Sequence, residues 1–512
     1  MGFFQNIGNL FYRFGSRLGG DASETGFYHD MVRQVNRIYS MHYDAASTTR
    51  TRNDWPHTTD SPYNNIKDDL KRMIGRSRES SDNNAISENV DKTILGNVVG
   101  DVGIRPEAVV KNDNGDLIEP VNKALMDAWK RYNDMWDRSG KCTYYESQKL
   151  GLKTIINSGS VLQNTVKAPK GSFLPISNQL IEPDRLNWAK DAFQQTHESA
   201  KPKKQTQFGM EIDKYGVPQY FHVKGISRPI KAANMSIRFF RRRPEQYIGV
   251  PWKAPVLKSL WDLTHLIEDK AVASRIQAMI SLWIHKEDAN SFLKNADSSY
   301  RLQWEPGRNI YTKHKPEVIQ SKDDLNETFE PMIRLLLSMV AIGLGISYQI
   351  LTRDLKGMNF ASSRANILED RRTFKVYQTW FIKDFCQKDW ERFVFWTIAT
   401  GKVPGVSLFN YSAEPWRFND CFWTPPRWDW VDPLKDAQAA QLLVENNMMS
   451  LKDYYGSQGK NYIEEIRQIA EEKKMLLKYG IKEEAPEPDK DPNKNKDMQD
   501  VLDRLDELEA QS

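Results

Sequence analysis

Hydrophobic positions change their period several times along this chain, and each change predicts an element. After Ala254-Pro255, the residues Leu257, Leu260, Leu263, Ile267, Ala271, Ile276, Met279, Ile280 and Trp283 recur three or four apart. That spacing predicts one helix over residues 254 to 285, roughly 48 Å long at about 1.5 Å per residue. A second apolar helix runs through Met332, Ile333, Leu335, Leu336, Leu337, Met339, Val340 and Ile342 to Gly343-Leu-Gly345, where glycine is expected to stop it. A third starts after Ser362 or Ser363, either able to cap. It continues through Ile367, Phe374, Phe381 and Phe385 toward Gly401 with no Pro or Gly inside. Between the second and third lies a small loop whose only charges are Arg353, Asp354 and Lys356.

The first half of the chain mixes short strands with helices. Leu70 to Asn97 has helical spacing, Val161 to Val166 and Gln219 to Val223 alternate as strands do, and the strand at Glu211-Ile212 leads to a turn at Tyr215-Gly216. The long helices are separated by a polar module, residues 287 to 325, with strand-like Tyr300 to Trp304, a turn at Glu305-Pro-Gly307, and a second strand from Asn309 to Tyr311. Helices are also predicted from Pro433 to Asn447 and from Ile463 to Leu477. The fold class is α+β, predominantly helical. A helical hairpin with a distinct tip and an ordinary hairpin within a globular domain both satisfy this pattern.

Composition adds limits. With 512 residues and 39% hydrophobic, the chain can bury several cores. A formal net charge of only +4 argues against a general nucleic-acid binder. Residues 483 to 512 hold eleven acidic and four basic side chains, so −7 sits in the tail and +11 on the rest. Pro486, Pro488 and Pro492 make that tail read as a solvated linker before an amphipathic stretch at Val501, Leu502, Leu505 and Leu508. Cys142, Cys386 and Cys421 are too few and too far apart for a disulfide framework, and a reducing compartment fits best. Phe3, Phe4, Ile7, Leu10, Phe11, Phe14 and Leu18 form an apolar stripe beside Arg13 and Arg17, suited to a protein partner or to a membrane surface. No signal-peptide pattern or membrane-spanning run is present.

Motifs suited to catalysis are scarce in the chain. No phosphate-binding loop exists, since Gly140-Lys141 is followed by Cys142 and Met135 stands where the first glycine belongs. Glu182-Pro-Asp184 with Glu211-Ile-Asp-Lys214 resembles a nuclease pair, but its lysine falls one residue late for a two-carboxylate metal site, so strand and turn chemistry is the better reading. The eight histidines lack metal-ligand spacing, and no Gly-x-Ser-x-Gly elbow occurs. Trp416, Phe418, Phe422, Trp423, Trp428 and Trp430 form an aromatic cluster that favours packing over base stacking. The basic run Arg238-Phe-Phe-Arg-Arg-Arg243 suits a subunit interface slightly better than DNA contact. No catalytic residue, metal site or cofactor is predicted.

Five segments carry a resemblance. They are Leu70-Lys-Arg-Met-Ile-Gly-Arg-Ser-Arg78 with Asn97-Val-Val-Gly-Asp-Val-Gly-Ile-Arg-Pro106; Ile181-Glu-Pro-Asp-Arg-Leu186; Arg243-Pro-Glu-Gln246 with Gly249-Val-Pro251; the loop from Leu351 to Ala365; and Trp428-Asp-Trp-Val-Asp-Pro-Leu-Lys-Asp-Ala437. In this order they resemble the lambda-type family of tailed-phage portal proteins over residues 65 to 480. Ile248 before Gly249, Glu245, and Asn446-Asn447 in place of a turn glycine depart from the family pattern, although Asn tolerates the same left-handed backbone.

The resemblance implies a portal fold of wing, stem, clip and crown assembled as a ring. It divides the chain into an N-terminal arm (1–64), wing (65–253), first stem helix (254–286), clip (287–325), second stem helix (326–346), tunnel loop (347–363), long tunnel helix with wing return (364–427), crown (428–482) and acidic tail (483–512). It implies a dodecamer that conducts double-stranded DNA at one capsid vertex of the virion. The implied partners are the terminase large subunit, the major capsid protein and a neck or head-completion protein. The implied places are the host cytoplasm during assembly and then the virion. Arg353, Lys356, Gly357, Met358 and Asn359 are the expected channel residues, and Glu287, Asp288, Lys294, Trp304 and Arg308 the expected motor-docking residues. Arg241, Arg242 and Arg243 are the expected subunit-interface residues. The alternative is a membrane- or scaffold-associated protein acting through its N-terminal stripe.

Overall fold

The computed structural model describes residues 59–191, 205–279, 282–285, 309–312, 324–356, 359–428, 433–457 and 462–479. Two compact units divide the chain, Met1–Ser61 and Pro62–Ser512, and every described element lies in the second. The short α1 (Pro62–Ile66) leads into α2 (Leu70–Asn83) and α3 (Ala85–Val98). The spacing from Leu70 to Asn97 thus belongs to two helices. Asn84 parts them: its backbone is extended, and its side chain accepts from the backbone N–H of Ile86 and of Ser87, which starts α3.

After β1 (Arg105–Ala108) and α4 (Glu119–Asp134), α5 (Tyr144–Ser158) opens with a capping box. Glu146 N–H donates to Thr143 Oγ1, and Thr143 N–H donates to Glu146 Oε2. The helix ends at Gly159, left-handed at φ 82°. β2 (Ser160–Lys167) then pairs antiparallel with β3 (Ile176–Ile181). An antiparallel meander follows, of β4 (Gln205–Gln207), β5 (Met210–Ile212), β6 (Pro218–Phe221) and β7 (Ile230–Lys231), before β8 (Met235–Phe239) returns to the other edge of β2. Leu162, Leu186, Phe208, Met210, Phe221, Val223 and Ile248 make a core beneath these strands. The strands expected at Val161, Glu211 and Gln219 are all present, with the left-handed turn at Gly216.

The Gly249-Val-Pro251 step has a steric cause. A Cβ on Gly249 would lie 1.8 Å from the Gly159 carbonyl oxygen, so two backbone segments touch where no side chain fits.

The long α6 (Leu257–Met279) ends earlier than its apolar spacing predicts. Residues Leu282–His285 form β9 instead, paired in parallel with β10 (Asn309–Thr312). A short apolar run does not reveal its period, and the aromatic Trp283 and β-branched Ile284 suit a strand. Its 23 residues make α6 roughly 34 Å long, not 48 Å. The strand expected from Asn309 is present, whereas Tyr300 to Trp304 lie outside the described residues.

The return helix α7 (Asp324–Leu344) packs against α6. It is followed by α8 (Tyr348–Thr352), α9 (Phe360–Phe381), a π turn at Ile382–Cys386, and α10 (Gln387–Ala399). Two expectations change here. Asn359, not Ser362 or Ser363, caps α9, and the helix toward Gly401 contains a π turn where the Asp384 carbonyl accepts from Arg238 Nη1 at 2.7 Å. Arg238 is 1% exposed and its Nη2 lies 3.5 Å from Asp389 Oδ1, so it belongs to the interior and not to a surface basic strip.

The remaining elements are α11 (Leu408–Ala413), α12 (Pro415–Phe418), β11 (Cys421–Thr424) paired with β1, and three helices, α13 (Pro433–Glu445), α14 (Leu451–Ser457) and α15 (Tyr462–Lys478). Asn447 is left-handed at φ 55°, in keeping with an asparagine at that turn. The larger core joins α3, α4, α5, α9 and α10 through Ile94, Trp129, Ile155, Phe374, Trp390 and Phe393. In the aromatic cluster Phe418 is buried, Trp423 Nε1–H donates to Gln387 Oε1 at 2.8 Å, and Trp428 Nε1–H donates to Asn97 Oδ1 at 2.7 Å. Packing therefore holds for these three, while Trp416 is 71% exposed and Trp430 lies outside the described residues.

Candidate functional site

The charged loop is built from its supports inward. α7 stops in a Schellman turn: Gly345 is left-handed at φ 69°, its N–H donates to Ile342 O at 3.1 Å, and Ile346 N–H donates to Ala341 O at 3.1 Å. The next residue, Ser347, caps α8 by accepting from Ile350 N–H, and its own N–H donates to Asp370 Oδ1 of α9 at 2.7 Å. From α3, Asn89 Nδ2–H donates to Leu351 O at 2.8 Å. The short loop expected from sequence thus contains a helix, fastened to α3 and to α9.

Beyond α8 the chain turns at Arg353, left-handed at φ 59°. Asp354 N–H donates to Thr352 Oγ1, and Lys356 N–H donates to Asp354 Oδ1 at 3.0 Å. The Asp354 carboxylate is therefore engaged with backbone. Among the described residues neither Arg353 nor Lys356 forms an ion pair, and both side chains are exposed together with Leu355 at 64%. Asn359 Oδ1 accepts from Ser362 N–H at 2.8 Å, so its role within this chain is to start α9. Gly357 and Met358 lie outside the described residues.

The other expected site residues are distributed differently. Arg241, Arg242 and Arg243 are exposed after β8, with the N–H groups of Arg242 and Arg243 donating to Gln246 Oε1. Glu287, Asp288, Lys294, Trp304 and Arg308 lie outside the described residues, as do the Phe3 to Leu18 stripe and the acidic tail.

Several segments that carried the resemblance meet in space. Arg78 Nη2 lies 2.9 Å from Asp184 Oδ1 and 3.3 Å from Glu182 Oε1. Asn97 accepts from Trp428 through its side chain and from Gln378 Nε2–H through its carbonyl, at 2.7 Å each. These polar groups hold elements together. Sequence reasoning missed Asn89 and Asp370, which carry the loop. Asp370 did leave a signal, since a carboxylate stands on the apolar register of Ile367, Phe374 and Phe381. Burial raises its carboxyl above the usual range, opposed by the donors of Ser347.

The nuclease-like residues are engaged with different partners: Asp184 with Arg78, and Glu211 with His222 Nε2 at 3.0 Å. Among the described residues no group of three or more His, Cys, Asp or Glu could hold a metal ion, and the three cysteines are free thiols.

The family model described as phage portal protein, lambda family, matches residues 48–378, more than half of the chain. A protein described as "Probable portal protein" of Halomonas phage phiHAP-1 is 22% identical over 479 residues, covering 87% of this chain and 88% of its own. Portal protein B of Escherichia phage lambda is 24% identical over 174 residues, 33% of this chain and 32% of that protein. A chain from the virion of a native gene transfer agent particle aligns over 77% of this chain and 93% of its own, at 12% identity and a TM-score of 0.38. The matches do not favour the membrane- or scaffold-associated alternative. The chain belongs to the lambda family of phage portal proteins, and its function is that of a phage portal ring in DNA packaging.

Proposed function

We propose that this portal is a non-enzymatic dodecamer whose Arg353 and Lys356 project toward a central passage and touch double-stranded DNA as it moves. The observation that carries this reading is the combination of a tethered loop with two exposed cations whose neighbouring carboxylate is already engaged. Duplex DNA presents a phosphate about every 1.7 Å of axis, and each firm Lys or Arg contact adds salt-dependent affinity. A wall of strong contacts would hold the duplex still. A weak charge of +1 per copy, repeated around a ring, supports backbone contact that does not read sequence and does not trap.

In the same reading, residues 254–286 and 326–346 are the stem, 287–325 the clip, 347–363 the tunnel loop and 428–482 the crown. Glu287, Asp288, Lys294, Trp304 and Arg308 meet the terminase large subunit and later a neck protein. Arg241, Arg242 and Arg243 lie between subunits, and the ring meets the major capsid protein. The ring assembles in the host cytoplasm and remains at the portal vertex of the virion.

The test replaces Lys356 by Ala and Arg353 by Asn, which tolerates the left-handed backbone found there. Packaging rate or DNA retention should change, with a weaker dependence on salt. Unchanged packaging at every salt concentration would remove the role assigned to these cations.

A further inference from the structure

A cleft of about 890 Å³, lined by residues of β2, β8, α10 and the start of β3, lies apart from the charged loop. That volume is within the usual range of binding sites. Its wall from α10 is Lys388, Glu391, Arg392, Phe395 and Trp396, whose spacing places them along one side of the helix. Thr165, Val166 and Lys167 of β2 line it as well, with Ile176. The lining therefore mixes apolar side chains with cations. Lys167, Arg238, Lys388 and Arg392 stand there against the single carboxylate of Glu391.

Two of its polar groups are incomplete. Arg238 and Ser236, two apart on β8, both line the cleft, and among the described residues neither Arg238 Nε–H nor the buried Ser236 Oγ has a hydrogen-bond partner. Buried polar groups are nearly always paired, so acceptors brought by a ligand would complete them. Lys388 pairs with Asp384 of its own helix region, and Arg392 Nη1–H donates to Thr165 Oγ1. Among the described residues neither Lys167 nor Arg392 has an ion-pair partner, which leaves both cations able to meet a carboxylate.

Residues 500–509, outside the described ones, carry the complementary pattern. Val501, Leu502, Leu505 and Leu508 alternate there with Asp500, Asp503, Asp506, Glu507 and Glu509, and Arg504 is the one cation. We propose that this cleft binds residues 500–509 of the same chain, with the leucines against Phe395 and Trp396 and the carboxylates on Lys167, Lys388 and Arg392. The reach suffices. α15 is tied to α4 through Arg467 and Glu119 at 2.5 Å, and α4 meets α10 where Trp129 packs edge-on against Phe393. Both α4 and α10 are under about 25 Å long, while the chain between residues 479 and 500 spans roughly 70 Å when extended, at about 3.3 Å per residue. Exposed charge pairs add little affinity by themselves, so the apolar contact holds the segment and the charges select it.

The test uses the full chain and a carbodiimide, which joins carboxylates to lysine amines without a spacer, followed by peptide mass spectrometry. Links from residues 500–509 should concentrate on Lys167 and Lys388. Mixing isotope-labelled with unlabelled chains tells links within one chain from links between copies. A second measurement reads hydroxyl-radical oxidation of Phe395 and Trp396. Leu502→Ser with Leu505→Ser and Leu508→Ser should raise it several-fold, and Lys167→Glu with Lys388→Glu should do the same from the other side. All five substitutions spare the buried core, so the melting transition should persist. Links spread evenly over the exposed lysines, or unchanged oxidation in the leucine variant, would overturn the assignment. Links to the cleft found only between copies would overturn its placement within one chain.

Discussion

Lys253 Nζ lies 3.0 Å from Asp91 Oδ1, with the lysine side chain fully buried and the aspartate side chain 1% exposed. The ammonium also donates to Ser81 Oγ and, at 2.9 Å, to Ser87 Oγ, while Asn157 Nδ2–H donates to Asp91 Oδ2 at 2.9 Å. One ion pair thus fastens α2, α3 and α5 to the turn that starts α6. Burial holds the ammonium below the usual lysine range, and Asp91 opposes that shift.

Removing one partner should therefore cost more than removing both. Asp91→Ala leaves a buried ammonium uncompensated and should destabilise the chain by about 3–5 kcal/mol in denaturant unfolding. Lys253→Met with Asp91→Leu should recover most of that loss. A double variant as unstable as the single one would show that the surrounding hydroxyls and Asn157, not the charge pair, hold this junction.

Gly343 sets the approach of α6 and α7. A Cβ there would lie 2.4 Å from Val256 Cγ1. Alanine gains about 1 kcal/mol of helix propensity over glycine, but overpacking costs about 1–3 kcal/mol, and at this separation the clash should win. Gly343→Ala is expected to lower the melting temperature, and adding Val256→Ala should restore it. An increase in melting temperature from Gly343→Ala alone would mean the helices separate freely.

The α5 capping box gives a pH dependence with a definite sign. The Thr143 backbone N–H, followed by the Thr143 hydroxyl, holds the Glu146 carboxyl below the usual glutamate range. A depressed folded pKa contributes stability above the unfolded value, and that contribution is lost as pH falls through the folded one. Acid unfolding below the ordinary glutamate pKa should thus be shallower in Glu146→Gln than in wild type. Identical acid titrations of the two would exclude this carboxylate as a contributor.

Much of the architecture was readable because it depends on local periodicity. The apolar register of α7, the glycine stop at Gly345, the strands around Val161 and Gln219, and the left-handed Asn447 all follow from what neighbouring residues permit. Arg353, Asp354 and Lys356 stand out in the same way, as the charges of the short segment between two apolar helices. The loss of helix at Leu282 was not readable, because the three-residue apolar run Leu282-Trp-Ile284 fits either period until β10 pairs with it.

Partners distant in sequence decided the rest. Arg238 looked like part of a surface cluster until Asp389 and the Asp384 carbonyl, about 150 positions later, drew it inside. Asn89 was an ordinary polar helix residue, and Asp370 a carboxylate on an apolar register with no visible partner, until the fold placed Leu351 O and Ser347 N–H beside them. Sequence by itself determined most of the elements and the family likeness. Tertiary structure decided which charges are buried and paired, which remain exposed on the loop, and that Met332, Leu335, Met339 and Ile342 of α7 face water. The physical reason is that burial is a property of the whole packed chain, whereas periodicity is a property of a few adjacent turns.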